Sequence, residues 1–172
     1  STIPISFLPS EAREGGPDEI ISRLKEPVEK QKIVNHLETQ LRYNRSLDEM
    51  VFSYMPRNTH LEGMSISDIA LERDMSPGEL LCDLLLEEDL KIGYTMPPPV
   101  SVRLWRQISQ DAMELLARDD YMVCSDITPA GSMPHPRSFG AFPRFLGRLR
   151  RQFDTLSLEQ MVHRMTDKPA RR

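Results

Sequence analysis

The sequence has few of the features that mark secreted, membrane-spanning or disulfide-rich proteins. Its 172 residues include two cysteines, Cys82 and Cys124, which are too few for a disulfide framework and form no CxxC pair. Aromatic residues make up only 6% of the chain. No apolar run approaches the roughly 18 residues that a membrane-spanning helix needs. We therefore expect a reducing, cytoplasmic location and no membrane partner.

Signatures of nucleotide binding and of several hydrolase classes are also missing. The sequence contains no GxGxxG, P-loop or GxSxG motif. No HxH or HExxH spacing relates its four histidines, which are His36, His60, His135 and His163. We therefore expect no metal site within this chain. The ten methionines are scattered, which favours core packing over a cofactor role.

The charge is unevenly distributed along the chain. The net charge is −4, yet residues 134–172 hold nine Lys or Arg against three Asp or Glu. Such a basic segment can bind phosphate groups, or it can form a solvated face or a face between segments. Aromatic residues are not interleaved with the basic ones as in nucleic-acid stacking platforms. We therefore expect the second interpretation and no nucleic-acid partner.

Helix signals dominate the sequence, with three short strand patterns between them. Helix starts are predicted at Ser65, Ser76 and Ser157, because an acidic or amide side chain follows each serine three residues later. Further helices are expected from Pro17 to Pro27, from there through about residue 42, over 111–118 after a cap at Ser109, and over 142–153. Strands are expected over 50–55, 91–96 and 121–124. This order of strands and helices predicts a helix-rich α/β fold.

Asp126 is the first candidate functional residue, because it follows the third predicted strand and precedes a loop rich in proline and glycine. In parallel α/β folds, functional residues gather at the carboxyl ends of the strands. A carboxylate there can accept a proton from water and return it to a leaving amine. Aspartate at such a place also commonly forms a turn, so the pattern alone leaves both interpretations open.

Arg137 is the second candidate, eleven residues further along the chain. Its guanidinium could hold a carboxylate by two parallel hydrogen bonds, or it could be an ordinary surface arginine. His135, which lies between two prolines, could orient the same loop, contact a ligand or have a structural role only.

Two blocks of residues carry a resemblance to a known family. The first combines Cys124–Asp126 with residues 135–148 (HPRSFGAFPRFLGR), and the second is residues 156–172 (LSLEQMVHRMTDKPARR). They are similar to the segments GSDG, HPRxxGxFPRxLGR and LSLEEAVRKMTxxPARR of the N-acyl-D-amino-acid deacylase (D-aminoacylase) family, within the amidohydrolase superfamily. Shorter matches at Ser1 and at 61–65 extend the resemblance over essentially the whole chain.

The resemblance implies a partial (β/α)8 TIM barrel of the amidohydrolase type. Residues 1–66 would form a lid-like insertion after the seventh barrel strand, and residues 67–172 would form the last part of the barrel. The eighth strand would lie at about 121–126 and would be followed by the closing helices. The chain would then be the C-terminal part of one larger catalytic domain.

The resemblance also implies zinc-dependent hydrolysis of the amide bond of N-acyl-D-amino acids by the complete enzyme. Asp126 matches the aspartate that takes a proton from the zinc-bound water and passes it to the leaving amine. Arg137 matches the arginine that holds the α-carboxylate of the substrate, and Ser1 matches a serine near that carboxylate. The zinc ligands of the family precede the position of Ser1, so this chain alone is expected to bind no zinc and to be inactive.

The sequence departs from the family pattern directly after Asp126. The family usually has glycine there, whereas this chain has Ile127, which resists backbone angles that glycine adopts freely. The loop that follows could therefore differ from that of the family.

A second hypothesis is that the chain is not an enzyme but a non-catalytic interaction or assembly module. The chain would then pair with a separate N-terminal chain that carries the missing half of the barrel. Exposed strand edges of a partial barrel would need such a covering partner.

Overall fold

Serine caps begin three helices where the sequence predicts them. The computed structural model describes residues 4–43, 49–97, 101–126 and 131–172. The hydroxyls of Ser65, Ser76 and Ser157 each accept a hydrogen bond from the backbone amide three residues later. The side chain of Gln160 also accepts a hydrogen bond from the amide of Ser157, which completes a capping box. Local side-chain chemistry therefore determines these helix starts.

The described residues form ten α-helices and two β-strands. The helices are α1 (Ser10–Arg13), α2 (Pro17–Lys25), α3 (Pro27–Tyr43), α4 (Ile66–Glu72), α5 (Pro77–Glu87), α6 (Val102–Ala117), α7 (Arg137–Arg144), α8 (Arg150–Phe153), α9 (Leu158–Met165) and α10 (Asp167–Ala170). The strands are β1 (Val51–Tyr54) and β2 (Gly93–Thr95). A π-helical turn, Phe145–Leu149, joins α7 to α8. No described helix combines the length and the apolar character needed to cross a membrane.

These elements divide into two compact units. The first unit comprises Ser1–Pro97 and Thr128–His135, and the second comprises Pro98–Ile127 and Pro136–Arg172. The predicted boundary at residue 66 thus lies inside the first unit. The assignment of residues 1–66 to a lid and of 67–172 to a barrel stays a prediction.

The first unit packs helices against a two-stranded sheet. Helices α2, α3 and α5 contact one another, and Phe52 of β1 is fully buried in the core that they share. The strands predicted over 50–55 and 91–96 are confirmed, but they run antiparallel, with Phe52 opposite Tyr94. Because Tyr54 pairs with Gly93, the connection through α4 and α5 begins and ends at the same end of the sheet. The helix-rich character with a small sheet is confirmed, whereas the partial barrel stays a prediction.

The second unit packs its helices around a smaller core. Its buried apolar side chains are Met113, Leu116, Val123, Leu149, Leu156 and Met161. The helix predicted over 111–118 begins earlier, at Val102, because the hydroxyl of Ser101 accepts a hydrogen bond from the amide of Leu104. Ser109, the predicted cap, is a buried residue inside this helix. The helix predicted over 142–153 also begins earlier, at Arg137.

The third predicted strand does not form a strand in the described chain. Residues 121–126 lie outside the helices and strands, and Val123 is the buried residue among them. The backbone amide of Val123 donates a hydrogen bond of 3.1 Å to the carbonyl of Arg164 in α9 rather than to a neighbouring strand. A barrel strand requires strands on both sides, and the described sheet contains only β1 and β2. The assignment of 121–126 to an eighth barrel strand stays a prediction.

Candidate functional site

Asp126 and Arg137, the two candidates from the sequence, lie next to each other in the second unit. The distance between Arg137 Nη2 and Asp126 Oδ2 is 3.0 Å, which is within the range of an ion pair. The side chain of Arg137, at the start of α7, is 26% exposed, whereas that of Asp126 is 81% exposed. The fold therefore joins the two residues in an ion pair whose acidic member faces solvent.

Asp126 also has an uncommon backbone conformation. Its φ of 48° lies in the left-handed region, which aspartate and asparagine enter more readily than most residues. Its amide donates to the Sγ atom of Cys124 at 3.3 Å. Asp126 thus has a turn conformation. Ile127, which departs from the family pattern, lies outside the described residues.

The loop between Asp126 and Arg137 is anchored in the first unit by Glu62. One carboxylate oxygen of Glu62 accepts a hydrogen bond of 2.6 Å from the amide of Ser132, whose hydroxyl donates to the same oxygen. The other oxygen accepts from the amide of Met55 at 2.9 Å. Burial opposes the charged form of Glu62, but these hydrogen bonds outweigh it and lower the pKa of the carboxyl.

Gly131 permits this loop to approach β1 closely. Its φ of 81° is one that glycine adopts without strain. A Cβ atom at this position would lie 2.1 Å from the carbonyl oxygen of Ser53, far inside van der Waals contact. Position 131 therefore requires glycine, because any side chain there would collide with the backbone of β1.

Two arginines of the HPRSFGAFPRFLGR block pack on an indole ring. The guanidinium carbon of Arg144 lies 5.1 Å from the centroid of Trp105, and that of Arg148 lies 4.5 Å from it. Both distances are within the range of cation–π attraction. These arginines therefore connect α7 and the π-helical turn to α6.

The described residues do not fit a zinc site. Among them, no group of three or more His, Cys, Asp or Glu side chains lies close enough together to hold a metal ion. His36 forms a hydrogen bond with Gln40, and His163 of α9 lies 3.3 Å from Asp167, the first residue of α10. His135 is half-buried in the first unit, and its role stays a prediction. Ser1, the proposed third substrate contact, lies outside the described residues.

Sequence reasoning missed two residues that hold the segments around the site, Glu62 and Arg164. Glu62 lies within the matched stretch 61–65, but nothing in that stretch indicates a partner seventy residues away. Arg164 follows the buried Met161 by three residues on α9. That spacing puts both on one helical face, and it was the signal that could have identified Arg164 as buried.

Comparisons with known proteins give three similar proteins, and no family model matches this chain. A D-aminoacylase of Alcaligenes xylosoxydans xylosoxydans is 31% identical over 112 residues, which are 65% of this chain and 20% of that protein. An N-acyl-D-glutamate deacylase of the same organism is 50% identical over 50 residues, which are 29% of this chain and 10% of that protein.

A solved structure resembles the fold as well. It is the crystal structure of N-acyl-D-glutamate deacylase from Bordetella bronchiseptica, complexed with zinc and a phosphonate inhibitor that mimics the tetrahedral intermediate of the reaction. The TM-score is 0.55 and the sequence identity 25%, over 76% of this chain and 25% of that chain. This chain therefore spans a quarter or less of the length of each relative. The resemblance predicted from the two motif blocks is confirmed, since relatives named D-aminoacylase and N-acyl-D-glutamate deacylase and a solved N-acyl-D-glutamate deacylase cover part of this chain.

Proposed function

We propose that this chain works as part of a zinc-dependent hydrolase that splits the amide bond of N-acyl-D-amino acids. The observation that carries the proposal is the 3.0 Å contact between Asp126 and Arg137, inside the block that resembles the deacylases. The names of the relatives support the reaction class, and the zinc in the solved relative supports the cofactor. The zinc ligands would belong to a part of the enzyme outside the described residues, so this chain alone would be inactive. In the same proposal, residues 1–66 form the lid and 121–126 supply the eighth strand of a TIM barrel.

Asp126 would act as the proton carrier of the reaction. Its exposed carboxylate can accept a proton from the water that attacks the amide carbonyl, and it can then donate that proton to the leaving amine. The acyl–nitrogen bond breaks in the second step, and the products are a carboxylic acid and a free D-amino acid. The aspartate is regenerated with its charge.

Arg137 would bind the α-carboxylate of the substrate. A guanidinium has five N–H donors, and the contact with Asp126 involves Nη2. Arginine favours a bidentate geometry towards a carboxylate, and this is the geometry proposed for the substrate in the complete enzyme. The substrate would then be fixed beside the carboxylate that moves its protons, with Ser1 as a further contact to the same group.

The test of Asp126 requires the complete enzyme with its zinc ligands. Replacement Asp126→Asn should lower kcat by roughly a hundredfold to ten-thousandfold, the usual contribution of a general acid–base group, without changing the zinc content. Asp120→Asn is the matched control, because Asp120 is an exposed carboxylate six residues earlier and pairs with Arg118. Full activity of the Asp126→Asn enzyme would refute the assignment.

The test of Arg137 separates substrate binding from chemistry. Arg137→Ala should chiefly raise KM for an N-acyl-D-amino acid, and Arg137→Lys should restore part of the loss because it keeps the charge without the fork geometry. An unchanged kcat/KM in Arg137→Ala would reject the role of Arg137 in carboxylate binding.

The assembly module remains a second candidate, and one observation favours it. Several apolar side chains of the second unit are exposed, among them Val102 and Ile108 on α6 and Phe139 on α7. A separate chain carrying the other barrel strands would cover such residues. Co-purification of this chain with that partner would support the module. A monodisperse monomer in light scattering, or an open reading frame that joins an HxH pair to this sequence, would argue for the enzyme.

A further inference from the structure

Arg164 is a buried cation whose acidic partner is exposed. Its side chain is 10% exposed, whereas that of Asp119, 3.1 Å away, is fully open to solvent. Burial of a charge costs free energy unless hydrogen bonds compensate for the lost water. Hydrogen bonds made by Arg164 must therefore compensate for the cost of burying its charge.

The guanidinium of Arg164 makes three hydrogen bonds to the segment that leaves α6. Nη2 donates to the carbonyl of Ala117 and to Oδ1 of Asp119, each at 3.1 Å, and Nη1 donates to the carbonyl of Asp119 at 3.2 Å. Ala117 is the last residue of α6, where carbonyl groups lack partners within the helix and the helix dipole favours a positive charge. Arg164 thus caps the C-terminus of α6.

The backbone of Arg164 fixes the other end of the same segment. Its carbonyl accepts the 3.1 Å hydrogen bond from the amide of Val123, and Val123 packs in the core with Met113 and Met161. One residue of α9 therefore holds both ends of 117–123. Asp126 follows this segment by three residues.

We propose that Arg164 is a positioning residue for Asp126. By fixing 117–123, it keeps the start of the Asp126 turn in place and so holds the carboxylate against Arg137. The relevance of this role to catalysis rests on the proposed function. The contacts made by Arg164 do not depend on it. Lysine cannot replace Arg164 here, because a single ammonium nitrogen cannot reach the three acceptors that the planar guanidinium serves.

The experiment measures the Asp126–Arg137 contact by NMR in the 172-residue chain. Asp126→Asn removes the ion pair and should displace the Nε–H resonance of Arg137. In an Arg164→Lys background, that displacement should fall to less than half, and the Val123 amide should exchange with solvent at least tenfold faster. Arg118→Lys is the matched control, since Arg118 lies in the same segment but pairs with the exposed Asp120, and it should leave both readouts unchanged.

A purely structural role for Arg164 would lower the thermal stability without changing the response of Arg137. An unchanged displacement in Arg164→Lys, whatever its melting temperature, would therefore overturn the proposal. Should Arg164→Lys fail to fold by circular dichroism, Asp119→Ala replaces it, because that change removes the Oδ1 acceptor and with it one of the three contacts. It should weaken the response by a smaller amount, and no weakening would overturn the proposal. Neither substrate nor zinc is present, so the result is independent of the turnover test of Asp126.

Discussion

The carboxylate of Glu62 accepts a hydrogen bond of 2.6 Å from the backbone amide of Ser132, seventy residues further along the chain. The loop that contains Ser132 belongs to the first unit, although the residues at its two ends, Asp126 and Arg137, belong to the second. Glu62 therefore holds Ser132 in place within the first unit.

Replacement Glu62→Gln should loosen the loop. The amide NH2 group of glutamine would face backbone donors at Met55 or Ser132, so at least one donor would lose its acceptor. We expect a loss of about 1–3 kcal/mol in the free energy of unfolding, together with faster hydrogen exchange over 131–133. Glu72→Gln, a change of an exposed carboxylate at the end of α4, is the control. Equal stability and equal exchange in the two variants would contradict the attachment.

The stability that Glu62 contributes should depend on pH in one direction. The folded state lowers the pKa of this carboxyl below its ordinary value of 4.5, so folding favours the charged form. The contribution is then fully present above pH 4.5 and is lost as the pH falls through the folded pKa. Urea unfolding of the natural chain and of Glu62→Gln should differ most near neutral pH and converge in acid. A difference that stays constant down to acid pH would disprove the linkage.

Two glycines of this region should respond to alanine in opposite ways. Gly131→Ala should destabilise the protein, because the added Cβ would meet the carbonyl oxygen of Ser53 and alanine disfavours the positive φ. Gly140→Ala should stabilise α7 by about 0.5–1 kcal/mol, since a Cβ at that helical position has open space around it. Thermal unfolding of both variants checks the pair, and a stabilised Gly131→Ala would show that the loop does not pack on β1.

The sequence predicts the features that depend on near neighbours. The caps at Ser65, Ser76 and Ser157 are correct because each acts on an amide three residues away. Ser109 is the exception, because Ser101 supplies an earlier cap and the helix simply continues through Ser109. The motif blocks also identified Asp126 and Arg137 as candidates, and these two residues are in contact in the structure.

Features that depend on distant partners could not be predicted in the same way. The strand predicted at 121–124 has a suitable composition, but a strand is defined by its neighbours, and Val123 is paired with Arg164 of a helix. The antiparallel order of β1 and β2 follows from where the intervening helices return the chain. Likewise, Ser132 lies seventy residues from Glu62, and the acceptors of Arg164 lie 45 and 47 residues from it, beyond any local pattern.

The two cysteines should differ sharply in reactivity. Cys82 is fully buried in α5, and burial raises the pKa of its thiol to about 12, although the nearby charge of Lys30 opposes this. The thiolate is the reactive form, so Cys82 should be inert at pH 8 for lack of both ionisation and access. Cys124 is exposed two residues before Asp126.

A thiol titration with Ellman's reagent checks this difference. At pH 8 one thiol per chain should react quickly in the native protein and two should react in denaturant. Cys124→Ser should abolish the fast reaction, and Cys82→Ser should leave it unchanged. Rapid labelling of Cys82 in the native chain would mean that α5 is not packed in the core of the first unit. Since the Sγ atom of Cys124 accepts the hydrogen bond from the Asp126 amide, its modification should also shift that amide resonance.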